Sequence, residues 1–576
     1  MNTPLLLEIK DLRISFSDGK NIHSAVDGVH FFIAPGETLG VVGESGSGKS
    51  LTALSLMQLL PQGAERQGQA LWQSESDAPV DLFSLSEAHA RRYRGREMSM
   101  IFQEPMTSLN PVFTCGEQVC ESLRLHLGLP RAQAREQALA WFSRVKLPDP
   151  LRIFKAYPHQ LSGGQRQRVM IAMAMCTSPR LLIADEPTTA LDVTVQATIL
   201  DLIEELKAET GAAVLFISHD LGVVRGLAQR VMVMQHGRIV EQGETRRVFE
   251  QPTHPYTQGL LACRPPVKHA LRRLPVIDDF MPDAPVAPAP VANVLGRQLL
   301  PDAEIQQRRT QIDTRPLLLD ARGLQVWFPR PTAWWKRQPD GWVKAVDGVA
   351  LQLRPGESLG IVGESGSGKT TLGRSLVRLA PLRQGEIYFK GEAIHTLPSH
   401  EFATYRPKMQ MVFQDPYGSL NPAMTIGQML AEPLRINRSD ISTSEMADRV
   451  ALMLQRVGLN PAHANRFARE FSGGQRQRIG IARALMVEPE LLICDESVSA
   501  LDVSVQAHVL NLLKDLQDER GFSLIFISHD LSVIRFISDQ VMVMHQGKAV
   551  ECARPEDIIS RPREAYTQQL IAAVPQ

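Results

Sequence analysis

The sequence predicts an α/β chain in which one domain plan is written twice. Three observations predict it. Gly43-Glu44-Ser45-Gly46-Ser47-Gly48-Lys49-Ser50 returns as Gly363-Glu364-Ser365-Gly366-Ser367-Gly368-Lys369-Thr370, with the two lysines 320 residues apart. Ser162-Gly163-Gly164-Gln165-Arg166-Gln167-Arg168 returns unchanged from Ser472 to Arg478, an offset of 310 residues. Two apolar runs, Leu181-Leu182-Ile183-Ala184 and Leu491-Leu492-Ile493-Cys494, each end in an Asp-Glu pair. At 576 residues the chain exceeds what one ordinary core organises, and the offsets divide it into two domains of similar length.

The elements follow in order. Residues 5–16 alternate in polarity and read as an opening strand. Thr38 to Val42 is a short apolar strand that runs into the Gly-rich loop, and Leu51, Leu54, Leu56, Met57, Leu59 and Leu60 mark a helix after it. Strand, loop and helix together are the setting a phosphate-binding loop requires. Ser358 to Val362 followed by Lys369 repeats it. Lys49 and Gln103 are 54 residues apart, but Lys369 and Gln414 only 45. The extra residues fall in the polar stretch Gln62 to Asp81, which reads as a surface-loop insertion. The 51 residues 265–315 carry Pro282, Pro285, Pro288 and Pro290 and few large apolar side chains, so they read as an extended Pro-rich linker. As flexible coil they would span roughly 35–45 Å, enough for two domains of about 18 Å radius of gyration to face each other. The expected domains are therefore 1–264 and 316–576.

Both Gly-rich segments fit G-x-x-x-x-G-K-[ST], whose backbone N–H groups converge on nucleotide phosphates at a helix N-terminus. Gly43, Ser45, Gly46 and Gly48, with Gly363, Ser365, Gly366 and Gly368, form these cradles. Lys49 and Lys369 are expected to reach the β/γ-phosphates, and Ser50 and Thr370 to offer hydroxyls to Mg²⁺. A buried strand ending in Asp185 or Asp495 delivers a carboxylate to the same Mg²⁺. The next residues, Glu186 and Glu496, suit a general base for the attacking water. Gln103 and Gln414, each after an apolar strand (Met100-Ile101-Phe102 and Met411-Val412-Phe413), can reach the metal or the water. Glu104-Pro105 and Asp415-Pro416 follow them. His219 and His529 sit in the repeated Phe-Ile-Ser-His-Asp-Leu and are placed for a γ-phosphate contact.

These residues resemble the nucleotide-binding subunits of ABC transporters over nearly the whole of both halves. The resemblance implies two tandem P-loop NTPase domains of the ABC type. Leu161-Ser162-Gly163-Gly164-Gln165 looks like that family's signature, which binds the γ-phosphate of ATP held by the opposite domain. Ser472, Gly474 and Gln475 would then complete the site of Lys49, and Ser162, Gly164 and Gln165 the site of Lys369, by intramolecular pairing. Ala190-Leu191-Asp192 and Ala500-Leu501-Asp502 resemble the loop that couples the sites. Phe16 and Phe328 stand where the family stacks an aromatic ring on adenine; a core role is the alternative. Phe471 in place of the signature Leu, and Ser497 in place of the Pro after Glu186, remove no catalytic group.

A finer resemblance is to the dipeptide, oligopeptide and nickel importer ATPases. Ser108-Leu109-Asn110-Pro111, Ser419-Leu420-Asn421-Pro422 and His254-Pro255-Tyr256-Thr257, echoed by Ala565-Tyr566-Thr567, carry it. The fusion of both subunit types in one chain is similar to glutathione importers of that family. The implied function is ATP hydrolysis energising import of di- or oligopeptides, glutathione among them, with nickel as the alternative cargo. The implied partners are two integral membrane permease subunits and a substrate-binding protein. The loop around Trp334, Trp335 and Trp342 is either a membrane-touching feature or an ordinary surface loop.

Composition narrows the classes. Sixty-two basic residues balance 62 acidic ones, which leaves no overall charge for non-specific nucleic-acid binding. No apolar run approaches the ~18–20 residues of a bilayer span, and Leu5-Leu6-Leu7 is too short for a signal core. Six scattered cysteines read as reduced thiols and imply no iron–sulfur cluster. The expected location is the cytoplasmic face of the inner membrane. A soluble twin-ABC ATPase acting on ribosomes or DNA is the rival from another class, and its charged arm or clustered cysteines are not in this sequence. A non-hydrolysing regulatory module is the other rival, and here every catalytic position is filled.

Overall fold

A computed structural model describes residues 5–17, 22–73, 78–103, 108–188, 193–266, 269–281, 291–329, 341–438, 440–499 and 501–572. The chain divides into two compact units, one chiefly Met1–Leu261 and the other chiefly Ala289–Val574 together with Ala262–Val276.

In the first unit, Thr38–Val42 lies inside a six-stranded sheet. Its order is Arg238–Glu244, Arg230–Gln235, Thr38–Val42, Ala213–Ile217, Leu181–Asp185, Met98–Ile101. Only the Arg238–Glu244 edge is antiparallel. The central strands are buried along their whole length, which explains why they read as unbroken apolar runs rather than alternating ones. A four-stranded antiparallel sheet, in the order Ile22–Ile33, Leu7–Ser17, Ala64–Trp72, Val80–Asp81, covers the same core. The second unit repeats both sheets. Its six strands run Met409–Val412, Leu491–Asp495, Ser523–Ile527, Ser358–Val362, Gln540–His545, Lys548–Ala553.

Parallel strands place all their carboxyl ends at one sheet edge. In each unit the loop lysine, the Asp-Glu pair, the glutamine and the histidine follow four such strands. That edge is the frame of the site.

Three expectations are corrected. The stretch Gln62 to Asp81 is only in part a loop insertion: Ala64–Trp72 is a strand paired along Leu7–Ser17, with Trp72 buried in the core. Its outward Glu65, Gln67 and Gln69 gave it a loop's polarity. The extra loop residues fall between this strand and Val80–Asp81, which seven residues separate against the two between Gln384–Phe389 and Glu392–Ala393. The helix after Lys49 stops at Leu56 rather than continuing to Leu60, because Gln58 takes φ +51°. Described parts of the supposed coil linker are also structured. Val291–Gln298 and Asp302–Asp313 are helices, and Leu271, Leu274, Val276, Ile277, Phe280, Val294 and Ile312 are all buried. Asn511 on the helix Val503–Arg520 holds Leu274 within the second unit. Its side chain accepts the Leu274 N–H at 2.8 Å and donates to the Leu274 carbonyl at 2.9 Å. Composition concealed this packing because the buried apolar residues are scattered along the segment. Pro282, Pro285, Pro288 and Pro290, together with Glu104, Pro105, Ala190, Leu191, Asp192, Ala500, Trp334 and Trp335, lie outside the described residues.

Candidate nucleotide sites

The Gly-rich loop closes onto the sheet edge by a contact only glycine permits. Gly43 has φ +150°, and a Cβ there would lie 2.2 Å from the Met234 carbonyl oxygen; Gly363 has φ +152° and would meet Met544 O at 2.1 Å. The loop then enters the helix Lys49–Leu56, or Lys369–Leu376 in the second unit, through a left-handed glycine N-cap. The buried Lys49 donates from Nζ to the Gly43 and Glu44 carbonyls, both at 2.8 Å, and Lys369 does the same to Gly363 and Glu364. The lysine is thus folded back along its own loop, at the N-terminal end of the helix.

Each loop hydroxyl meets the strand-end aspartate. Ser50 Oγ donates to Asp185 Oδ1 at 3.1 Å and Thr370 Oγ1 to Asp495 Oδ1 at 2.8 Å. Burial pushes Asp185 up to about 6; the Glu186 charge adds to this, while the Ser50 hydrogen bond and Lys49 oppose it. Burial also raises Asp495. Asp495 Oδ2 is buried with no hydrogen-bond partner among the described residues. A bare carboxylate oxygen beside a hydroxyl is the oxygen donor set of a hard divalent cation, so Mg²⁺ fits these residues.

The neighbouring glutamates sit in an uncommon backbone state, with φ +48° at Glu186 and +43° at Glu496. For a non-glycine residue this costs about 1–2 kcal/mol. The Glu186 N–H is held by Ile217 O and the Glu496 N–H by Ile527 O, each at 2.9 Å. The kink turns the side chain toward two partners. Gln103 Nε2 donates to Glu186 Oε2 at 3.0 Å, with His219 Nδ1 at 3.2 Å from the same oxygen. Gln414 Nε2 donates to Glu496 Oε2 at 2.8 Å, with His529 Nδ1 at 3.8 Å; Lys369 Nζ is 3.9 Å from Oε1. Burial alone would raise Glu496, but His529 and Lys369 outweigh it and hold the carboxyl below its ordinary range. Burial would likewise lower His529, and the Glu496 carboxylate raises it instead.

Lysine, hydroxyl, aspartate, glutamate, glutamine and histidine are therefore one cluster in each unit. The signature residues are held separately. Ser162 caps the helix Gly163–Met175 and exchanges hydrogen bonds with Gln165, at 3.4 Å to its Oγ and 3.2 Å from its N–H. Ser472 and Gln475 repeat this at Gly473–Leu485. Gly164 and Gly474 are required by packing: a Cβ would lie 2.7 Å from Val195 Cγ1 and 2.3 Å from Val505 Cγ1. Phe328 is 41% exposed, whereas Phe16 packs against the first core.

Two contacts were missed at the sequence level. Tyr256 Oη accepts the Glu44 N–H at 3.1 Å, and Tyr566 Oη accepts the Glu364 N–H at 3.0 Å. The repeat of Tyr-Thr near the end of both halves was the available signal, read only as a mark of kinship. Inward glutamate kinks at Glu186 and Glu496 had no signal, because no glycine marks them.

Comparison with known proteins gives the family. The ABC transporter family model matches residues 26–189 and 346–499. The model described as oligopeptide/dipeptide transporter, C-terminal region, matches 240–288 and 550–576. The chain is 48% identical over 577 aligned residues to the glutathione import ATP-binding protein of Salmonella typhimurium, covering 99% of this chain and 89% of the relative. The protein of the same description from Escherichia coli K12 is 46% identical, with the same coverage. An ATP-binding cassette solved as a dimer in a post-hydrolysis state with ADP and phosphate aligns at 27% identity and a TM-score of 0.38, covering 41% of this chain and 98% of the cassette. No helix among the described residues is long and apolar enough to cross a membrane. The chain belongs to the ATP-hydrolysing subunits of the ABC transporter family, of the oligopeptide/dipeptide type, which work with membrane permease partners.

Proposed function

We propose that this chain energises the import of glutathione or closely similar small peptides, at the cytoplasmic face of the inner membrane, with two permease subunits and a substrate-binding protein. The observation that carries the reading is the match to glutathione import ATPases at 46–48% identity along 99% of the chain, in the same two-domain fused form.

In this reading each ATP lies with its phosphates on one Gly-rich loop and its γ-phosphate against the other half's signature. Lys49 and Lys369 neutralise β/γ-phosphate charge. Ser50, Asp185 and Gln103, and Thr370, Asp495 and Gln414, hold Mg²⁺, which when bound screens the phosphates and polarises the γ-phosphoryl group. Glu186 and Glu496 take the proton of the attacking water, and His219 and His529 orient the γ-phosphate and the glutamate. The pre-formed Gln–Glu–His cluster supports this, because its polar groups already converge on one carboxylate oxygen in both units. Phe328 stacks its exposed ring on adenine, whereas the packing of Phe16 against the first core favours the core role for that ring. ATP held from both sides favours the closed pairing of the halves, and hydrolysis removes that differential contact.

The test is transport. Cells lacking this chain should regain uptake of labelled glutathione with the native gene and not with the Glu186→Gln, Glu496→Gln form. Restored uptake of nickel, with no uptake of glutathione or small peptides, would reject the assigned cargo.

A further inference from the structure

We propose that Tyr256 and Tyr566 are positioning residues for ATP binding: each hydroxyl fixes the first peptide group of its phosphate loop and, through that group, the loop lysine. The Gly43–Glu44 peptide is held at both ends. Its N–H donates to Tyr256 Oη at 3.1 Å, and its carbonyl accepts from Lys49 Nζ at 2.8 Å. In the second unit the Gly363–Glu364 peptide is held by Tyr566 at 3.0 Å and Lys369 at 2.8 Å. One plane thus links a hydroxyl on one side to the phosphate-binding ammonium on the other.

That peptide needs an external anchor. It follows a glycine at φ about +150°, a region open to glycine alone and therefore weakly restrained by the chain itself. The tyrosines supply the anchor from a rigid base. Tyr256 is wholly buried and also donates to Glu44 Oε2 at 3.4 Å; Tyr566 is stacked on His545 with ring centroids 3.9 Å apart. Each stands on a late helix, Pro255–Ala262 or Ala565–Ala572. A strand glutamate ties the start of that helix down. Glu241 accepts the N–H groups of Thr253 at 2.8 Å and His254 at 3.1 Å, and Glu551 accepts those of Arg563 at 3.0 Å and Glu564 at 3.3 Å. Both tyrosines lie in the segments matched by the oligopeptide/dipeptide C-terminal region. That region therefore acts on the nucleotide loop of its own unit.

The inference rests on Lys49 and Lys369 being the phosphate-binding lysines. Tyr256→Phe plus Tyr566→Phe in the full chain removes both hydroxyls and keeps both rings. Losing one hydrogen bond per loop should weaken MgATP binding about three- to tenfold. The KM for MgATP should rise accordingly, with kcat within about twofold and Tm within about 2 °C of native. An unchanged KM overturns the proposal. So does a fall in kcat or Tm at constant KM, which would make the tyrosines packing residues only. Tyr256→Leu plus Tyr566→Leu, which removes the rings as well, should add a clear loss of Tm to the same rise in KM. Lys49→Ala plus Lys369→Ala, assayed in parallel, should abolish MgATP binding. If it does not, the lysine reading fails separately from the tyrosine result.

Discussion

Replacing Glu186 and Glu496 together by glutamine should stop turnover without stopping ATP binding. Glutamine keeps the volume and one oxygen acceptor for Gln103 or Gln414, so the left-handed backbone at φ +48° and +43° has no new reason to relax. What it loses is the basic oxygen that now faces Gln103 at 3.0 Å and His219 at 3.2 Å. Positioned general bases contribute about 10²–10⁴-fold, so kcat should fall by at least ~100-fold. MgATP affinity should hold or tighten, because a negative charge beside the phosphates is removed. Steady-state phosphate release and equilibrium MgATP binding on the full chain measure the two quantities. Turnover within about tenfold of native, in a variant that binds ATP and keeps its Tm, would refute the general-base role.

Other consequences follow from single contacts. Gly474→Ala forces a Cβ to within 2.3 Å of Val505 Cγ1, so it should cost about 1–3 kcal/mol by overpacking and lower Tm, and Val505→Ala in the same chain should restore most of the loss. Asn511→Ala leaves the Leu274 N–H and carbonyl without their partner; hydrogen exchange should accelerate at residues 271–276, with the six-stranded sheet still protected. Phe328→Ala should weaken MgATP binding by about 1–3 kcal/mol if its exposed ring stacks on adenine, and Phe328→Trp should retain it. Glu241 and Glu551 are held below the usual carboxylate range: burial opposes this, and the hydrogen bonds they accept outweigh it. A depressed folded-state value contributes stability above the ordinary glutamate pKa, about 4.3, and loses it as pH falls through the lower folded value. Glu241→Gln plus Glu551→Gln should therefore reduce Tm at neutral pH and flatten its decline in acid; an unaltered acid limb would reject the tether.

The duplicated motifs made the strand-end site legible because each depends on local order: a strand, a tight loop and a helix start carry their own residues. Thr38–Val42 and Ser358–Val362 were readable for that reason. What escaped reading depended on distant partners. Ala64–Trp72 looks polar until Leu7–Ser17 is placed beside it. Leu274 looks like a stray apolar residue until Asn511 closes on its backbone. The same is true of Tyr256, whose hydroxyl partner lies 212 residues earlier in the chain. Glu186 and Glu496 show the opposite limit, since a kink imposed by tertiary context leaves no trace in local residue type.

The central claim is that each ATP is completed by the signature of the other half, and paired disruptions test it most directly. Lys49→Ala with Ser472→Arg damages one shared site twice and spares the other; Lys49→Ala with Ser162→Arg damages both. The account predicts that the first chain hydrolyses ATP measurably faster than the second. The reverse order, with activity surviving when both changes fall in the first half, would contradict it.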